Sequence, residues 1–115
     1  MQAIQWETIP LEQMSARISR RVWHGEKMTT AQVNLLEGAQ VPLHHHHHEQ
    51  TTVLISGKLL FRMGGAEITL LPGEMLRIPP HLPHEVVAME DSVAVDWFAP
   101  VRDDWQRGED AYLRG

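Results

Sequence analysis

A chain of 115 residues with 15 acidic residues, 10 basic residues and no cysteine fits one domain with a single core, and rules out disulfides and thiolate metal sites. With a formal net charge of −5 and no basic cluster, it is not expected to bind nucleic acid or an anionic membrane. The opening MQAIQWETIP has neither a basic leader nor an apolar run, and no stretch could span a bilayer, so a cytoplasmic location is the default expectation.

Glycine and proline punctuate the chain at Gly25, Gly38, Pro42, Gly57, Gly64-Gly65, Pro72-Gly73, Pro79-Pro80 and Pro83. The segments between them run to about 5 to 9 residues and are rich in Val, Ile, Leu, Thr and Phe, which is strand length and strand composition. Strands are predicted over residues 16–23, 29–37, 51–56, 58–63, 67–71, 75–78 and 92–98. Gly64-Gly65 reads as a hairpin turn, since both positions tolerate positive φ. Many short strands with regular turn signals predict an antiparallel barrel or jelly roll. Pro100 ends the last strand. A short helix is expected over 101–107, at the start of a polar tail (103–115) expected to be loose.

The last strand, SVAVDWF, puts Val93, Val95 and Trp97 on one face and Ala94, Asp96 and Phe98 on the other. One face should meet the barrel lumen. The other is too apolar to stand bare, so the N-terminal segment or a second subunit should cover it. Four tryptophans, Trp6, Trp23, Trp97 and Trp105, point the same way, toward a homodimer.

The one extreme feature is the run of five histidines, His44 to His48, within VPLHHHHHEQTTVLISG. An affinity tag would sit at a terminus or beside a flexible linker; this run is flanked by Val41-Pro42-Leu43 and by the β-branched Thr51-Thr52-Val53. Extended backbone would turn His44, His46 and His48 to one face and His45 and His47 to the other. His44, His46 and Gln50 on this stretch, with His84 from the turn PPHLPH, make a nitrogen and oxygen set suited to one divalent ion: Ni, Fe, Mn, Co or Zn.

The spacing resembles the cupin superfamily. Its first motif reads here as Gly38-AQVPL-His44-x-His46-x3-Gln50-x6-Gly57, spanning 38–57. Its second reads as Gly73-EMLRI-Pro79-x-His81-x2-His84-x3-Ala88, spanning 73–88. Gln50 stands where that pattern has glutamate, His81 where it has glycine and Ala88 where it has asparagine. The resemblance implies an all-β, single-domain cupin over 1–115: a double-stranded β-helix, or jelly-roll barrel, with a short C-terminal helical segment. A neutral glutamine leaves more positive charge on a bound ion, which favours an anionic ligand or a developing oxyanion. No role is assigned to His81. His45, His47 and His48 are expected to lie outside the ligand set, with His48 able to replace His46 if the strand bulges.

VPLHHHHHEQ, ISGKLLFRMGG, PPHLPH and DWFAPVRDDW further resemble the small cupins named KdgF, which act in pectin and alginate breakdown. That resemblance implies a metal held by His44, His46, Gln50 and His84, and a pocket completed by Asp96, Phe98 and Arg102 in the pattern D-x-F-x-P-x-R. It also implies a small anionic sugar-acid substrate, a 4,5-unsaturated monouronate whose ring is opened to the linear 4-deoxy-5-keto uronate. Two other readings stand beside it: another metal-dependent cupin enzyme, such as a dioxygenase or isomerase, and a non-catalytic metabolite-binding cupin. The fold by itself does not choose among them. On the residues alone, Asp96 would pair structurally with Arg77 or Arg102, Arg102 would cap the barrel rim and Phe98 would be core.

Overall fold

Each β-branched run between glycine or proline punctuation becomes a strand, and the strands assemble into two antiparallel sheets. The computed structural model describes residues 2–114; Met1 and Gly115, the two ends of the expected domain, lie outside the described residues. One sheet has six strands in the order β1 (Glu12–Gln13), β2 (Ile18–His24), β3 (Thr29–Leu35), β10 (Ser92–Ala99), β5 (Glu49–Ser56) and β8 (Met75–Ile78). The other has four, in the order β4 (Gln40–His44), β9 (His84–Ala88), β6 (Leu59–Met63) and β7 (Ala66–Leu70). Their inner faces pack together as the expected jelly roll. A short helix, α1 (Asp103–Gln106), and a 3-10 turn, Ala111–Leu113, follow the last strand. No helix among the described residues is long and apolar enough to cross a membrane.

All seven predicted strands are present, with ends that move by no more than two residues. The Gly64-Gly65 turn joins β6 to β7, and both glycines have positive φ, 57° and 77°. Three strands escaped the sequence reading: β1, β4 and β9. Pro42, which cannot donate to a ladder, hid β4, and the proline-rich turn before His84 hid β9.

Parity divides the barrel interior into two zones. Phe61, Leu54, Leu59 and Ile78 are at most 2 % exposed and fill the apolar zone, and full burial of one such side chain contributes about 1.5–3 kcal/mol. Toward the other end the inward positions are polar: Gln50 and Thr52 on β5, Asp96 on β10, His84 on β9 and Arg20 on β2. Of the two faces of β10, Ala94, Asp96 and Phe98 are buried inside, while Trp97 is partly exposed outside. The N-terminal segment lies on the outer face of the neighbouring strands β2 and β3, where Trp6 Nε1 donates to Gln32 Oε1 at 2.5 Å and Arg21 Nε donates to the Ile9 carbonyl at 3.0 Å.

The polar tail, expected to be loose, carries α1 and the 3-10 turn. Its polarity is real, but its charges are paired. Asp110 is buried and takes hydrogen bonds from Arg20 Nη2 at 2.5 Å and Arg114 Nε at 2.9 Å, and Leu113 and Trp105 are also buried. Arg20 in turn lies with its guanidinium 4.4 Å from the Trp105 ring.

Gly57 turns the chain with φ of 94°, and a Cβ there would meet Ser92 Oγ and the Asp91 carbonyl at distances no side chain tolerates. Left-handed backbone costs a non-glycine residue about 1–2 kcal/mol and overpacking about 1–3 more. Gly57→Ala is therefore expected to lower the melting temperature by roughly 10 °C or more, read by thermal unfolding. The Asp110 anchor has its own pH signature. Hydrogen bonding to Arg114, then to Arg20, holds the Asp110 carboxyl below its usual value despite burial. Its contribution is thus present above the ordinary aspartate pKa and is lost as pH falls through the lowered folded value. Asp110→Asn should cost about 3 kcal/mol near neutrality by leaving buried Arg20 with only the exposed Glu12, 3.4 Å from its Nε, as counter-charge. The gap to wild type should close only below about pH 4 in denaturant titrations repeated across pH.

Candidate metal centre

The polar end of the barrel owes its geometry to strand register and one bulge. His44 of β4 lies across from His84 of β9. Between Val41 and His44 the register shifts, so that Val41 and His44, three residues apart, both face inward. Strict alternation would have turned Leu43 inward; the bulge at Pro42-Leu43 turns His44 in and leaves Leu43 exposed. Beyond His44 the run leaves the ladder, with residues 47–48 forming a bend before β5 begins at Glu49. The alternation expected of a strand survives only in burial: His46 and His48 are buried, His45 and His47 exposed.

His44, His46 and His84 form one group, with ligand atoms within 4.8 Å of one another. Each Nδ1 is hydrogen-bonded to a main-chain carbonyl: His44 to Pro42 at 2.7 Å, His46 to His48 at 3.0 Å and His84 to Leu82 at 2.8 Å. Those bonds place a proton on each Nδ1 and leave the Nε2 lone pairs for the gap between the rings. His84 Nε2 is buried and has no hydrogen-bond partner. His46 Nε2 lies 3.1 Å from Gln50 Oε1. The glutamine's orientation is set from behind, because its Nε2 donates to Thr52 Oγ1 at 3.0 Å. With Nδ1 protonated, His46 and Gln50 present two acceptors to each other, an arrangement a cation relieves. Burial is the main cause that lowers the His44 pKa to about 4 and that of His46 to about 3, and it also lowers that of His84, so the three rings are neutral near pH 7. Neutral buried imidazoles with converging lone pairs, beside an amide oxygen, fit a divalent transition ion.

Asp96 stands across β5 from Thr52. Its Oδ1 accepts the Thr52 hydroxyl at 2.5 Å and lies 3.5 Å from Gln50 Nε2, linking carboxylate and glutamine through one short chain. Burial raises its pKa to about 6, against the lowering effects of Thr52, Gln50 and Arg102. Phe98, across from Gln50, packs edge-on to His46 and Trp105.

Arg102 is 1 % exposed and lines the same cavity. Its Nε and Nη2 hold Asp104 at 3.0 and 2.8 Å, so one edge of the fork is already engaged. Its guanidinium lies 4.7 Å from the Phe98 ring centre and 4.1 Å from that of Trp105. The structural pairing expected between Asp96 and Arg77 is absent: Arg77 instead binds Glu49 on the surface.

Besides Thr52, two further polar cavity residues were missed in the sequence. Arg20 has a buried Nη1 with no hydrogen-bond partner and lines the cavity. Tyr112 stacks on His44 at 4.5 Å, and its hydroxyl accepts from Arg102 Nη2 at 3.0 Å and Trp105 Nε1 at 3.1 Å. Arg20 sits at an inward β2 position, so parity could have found it; nothing in a polar tail singles out Tyr112. His81, assigned no role, is exposed with φ of 68°, the conformation that explains why the motif has glycine there. Its N–H donates to the His46 carbonyl at 2.7 Å.

Removal of one imidazole should empty the centre without unfolding the barrel. His84→Ala is expected to lose the tightly held equivalent of metal, measured by elemental analysis after dialysis. His81→Gly should keep it, and should be no less stable than wild type because the left-handed position is relieved.

Comparison with known proteins identifies the fold and the family. The cupin domain model matches residues 31–99. Among solved structures, KdgF from Halomonas sp. is 28% identical with a TM-score of 0.80, covering 86% of this chain and 94% of that one. An RmlC-like cupin from Shewanella frigidimarina is 23% identical with a TM-score of 0.81, covering 86% and 90%. An oxalate decarboxylase from Bacillus subtilis shares the fold at 17% identity and a TM-score of 0.74, covering 84% of this chain but 29% of that longer one. Among curated proteins none matches this chain. With a family model spanning more than half its length and the histidine cluster where that family's motifs meet, the chain belongs to the cupin family.

Proposed function

We propose that this cupin opens the ring of 4,5-unsaturated monouronates, the products of pectin or alginate lyases, and yields linear 4-deoxy-5-keto uronates. The observation that carries the reading is the placement of a buried carboxylate, Asp96, in one cavity with His44, His84, the neutral Gln50 and two arginines, with His46 joined to them through the histidine cluster and Gln50. The 28% identity to KdgF over most of both chains supports it.

The reaction is an isomerisation. A base takes the proton of the anomeric hydroxyl, the C1–O5 bond breaks as C1 becomes a carbonyl, and its electrons pass to the ring oxygen as an enolate. Protonation at C4 then gives the C5 ketone. A divalent ion held by His44, His46, Gln50 and His84 would supply Lewis acidity toward the ring oxygen and the neighbouring carboxylate. Asp96 takes the first proton and returns one to C4, as base and then acid. Thr52 fixes the Asp96 Oδ1 by its hydrogen bond, which leaves Oδ2 to face the sugar. Phe98 gives an apolar wall. Arg102 supplies positive charge toward the substrate carboxylate through the part of its guanidinium that Asp104 does not hold.

On this reading the protein works as a homodimer in the cytoplasm. Trp23, Trp97, Ile55 and Met75 expose apolar surface on the outside of the six-stranded sheet, which suits a second copy.

The test is the loss of ultraviolet absorbance of unsaturated galacturonate, or of its alginate-derived counterpart, by metal-replete protein. Wild type should accelerate that loss. Asp96→Asn should lower the rate by about 100-fold or more with metal content unchanged. Full activity in that variant would remove Asp96 from the mechanism, and absence of turnover on every unsaturated uronate by wild type would overturn the assignment.

A further inference from the structure

The five-histidine run has three imidazoles outside the centre described above, and two of them converge on a different place. His47 and His48 lie on the bend before β5, where adjacent side chains need not point to opposite faces, and their ring centres are 4.0 Å apart. The ligand atoms of His47, His48 and Asp103, the first residue of α1, lie within 4.8 Å of one another.

His48 is the informative member. Its side chain is 1 % exposed; the Val101 carbonyl approaches the ring without the geometry of a full hydrogen bond, and no side chain partners either ring nitrogen. Leaving a buried polar group without a partner costs about 1–3 kcal/mol, so the position calls for a ligand. His48 Nε2 lies 3.9 Å from Asp103 Oδ1 and 3.9 Å from Asp104 Oδ1. These separations are too long for hydrogen bonds. An ion with bonds of about 2.0–2.2 Å to nitrogen and oxygen can span them.

The carboxylates are held in place. Arg107 Nη1 binds Asp103 Oδ2 at 3.1 Å, while Oδ1, the oxygen 3.9 Å from His48 Nε2, accepts the Asp104 N–H at 3.1 Å and keeps a second lone pair. Arg102 grips both oxygens of Asp104. His47 and Asp103 are exposed, so an ion can enter from solvent while the buried His48 ring closes the inner side.

We propose that His47, His48 and Asp103 form a second divalent metal site at the barrel rim, separate from the cluster of His44, His46 and His84. Two imidazoles and one carboxylate suit a borderline ion such as Zn2+, Ni2+ or Co2+ rather than Ca2+ or Mg2+, which prefer oxygen. The two sites share main chain: the His48 carbonyl accepts the His46 Nδ1 proton at 3.0 Å. An ion on the His48 ring therefore stiffens the peptide that orients His46.

The experiment strips the full chain with chelator and titrates it with Zn2+ alone by calorimetry, with circular dichroism to check the fold of each variant. Wild type should take up two equivalents. Asp103→Asn, a change at an exposed helix start, should remove one equivalent or weaken it at least about 10-fold. His84→Ala should remove only the other, and His45→Ala, outside both groups, should remove neither. One equivalent in wild type with loss of that equivalent in His84→Ala would overturn the second site and leave the first standing. Two equivalents of unchanged affinity in Asp103→Asn would also overturn it, since the histidine run would then be binding zinc without the carboxylate.

Discussion

Three bonds from histidine Nδ1 to main-chain carbonyls set the terms for the rest of the molecule. Each carbonyl lies two residues from its histidine: Pro42 for His44, Leu82 for His84 and, in the other direction, His48 for His46. A ring tied this way has its tautomer and rotation decided by backbone that strands and turns already hold. The lone pairs then meet in the lumen with no side-chain donor to answer the one on His84. The barrel around them can be read as the support this arrangement needs: an antiparallel pair that sets His44 opposite His84, a bulge that turns His44 inward, and a turn at His81 whose N–H holds the His46 carbonyl.

Charge is distributed in the cavity to complement that cluster. Asp96 is the carboxylate nearest Gln50, and it is reached through Thr52 rather than by direct contact with an arginine. Two guanidiniums, of Arg20 and Arg102, lie against the Trp105 ring. Each is compensated outside the cavity, by Asp110 and Asp104 respectively, so neither is a buried charge without a partner. The result is a lumen that combines two guanidiniums, neutral imidazoles and one carboxylate of raised pKa, the groups on which the proposed proton transfer rests. The C-terminal tail completes it, since Tyr112 covers His44 and Asp110 fastens Arg20.

How much of this was legible depends on the kind of signal. The β-branched runs between glycines and prolines identified seven strands because local composition and period carry that information. They missed β4, where Pro42 argued against a strand, although an edge and a bulge accommodate it. The motif spacing selected His44, His46, Gln50 and His84 from among eight histidines and the glutamines, and the structure brings those four side chains together. It could not say that Arg102 would have one edge of its fork on Asp104, because that contact depends on how α1 leaves β10. The tail was read as loose from its polarity; its aspartate and arginine turned out to be each other's partners and those of the barrel.

Sequence by itself determined the fold class, the polar parity of β5 and β10, and the residue types at the cluster. Each of these is encoded in spacing along a strand, where side chains alternate by geometry alone. Tertiary structure decided which histidines of a uniform run share a centre. A bulge and a bend break the two-residue period between Val41 and Glu49, so His46 joins His44 and His84 while His47 and His48 turn toward Asp103. No local rule predicts the phase of a chain after its ladder has been interrupted. That phase comes from the partners on β9 and α1 that the returning chain meets.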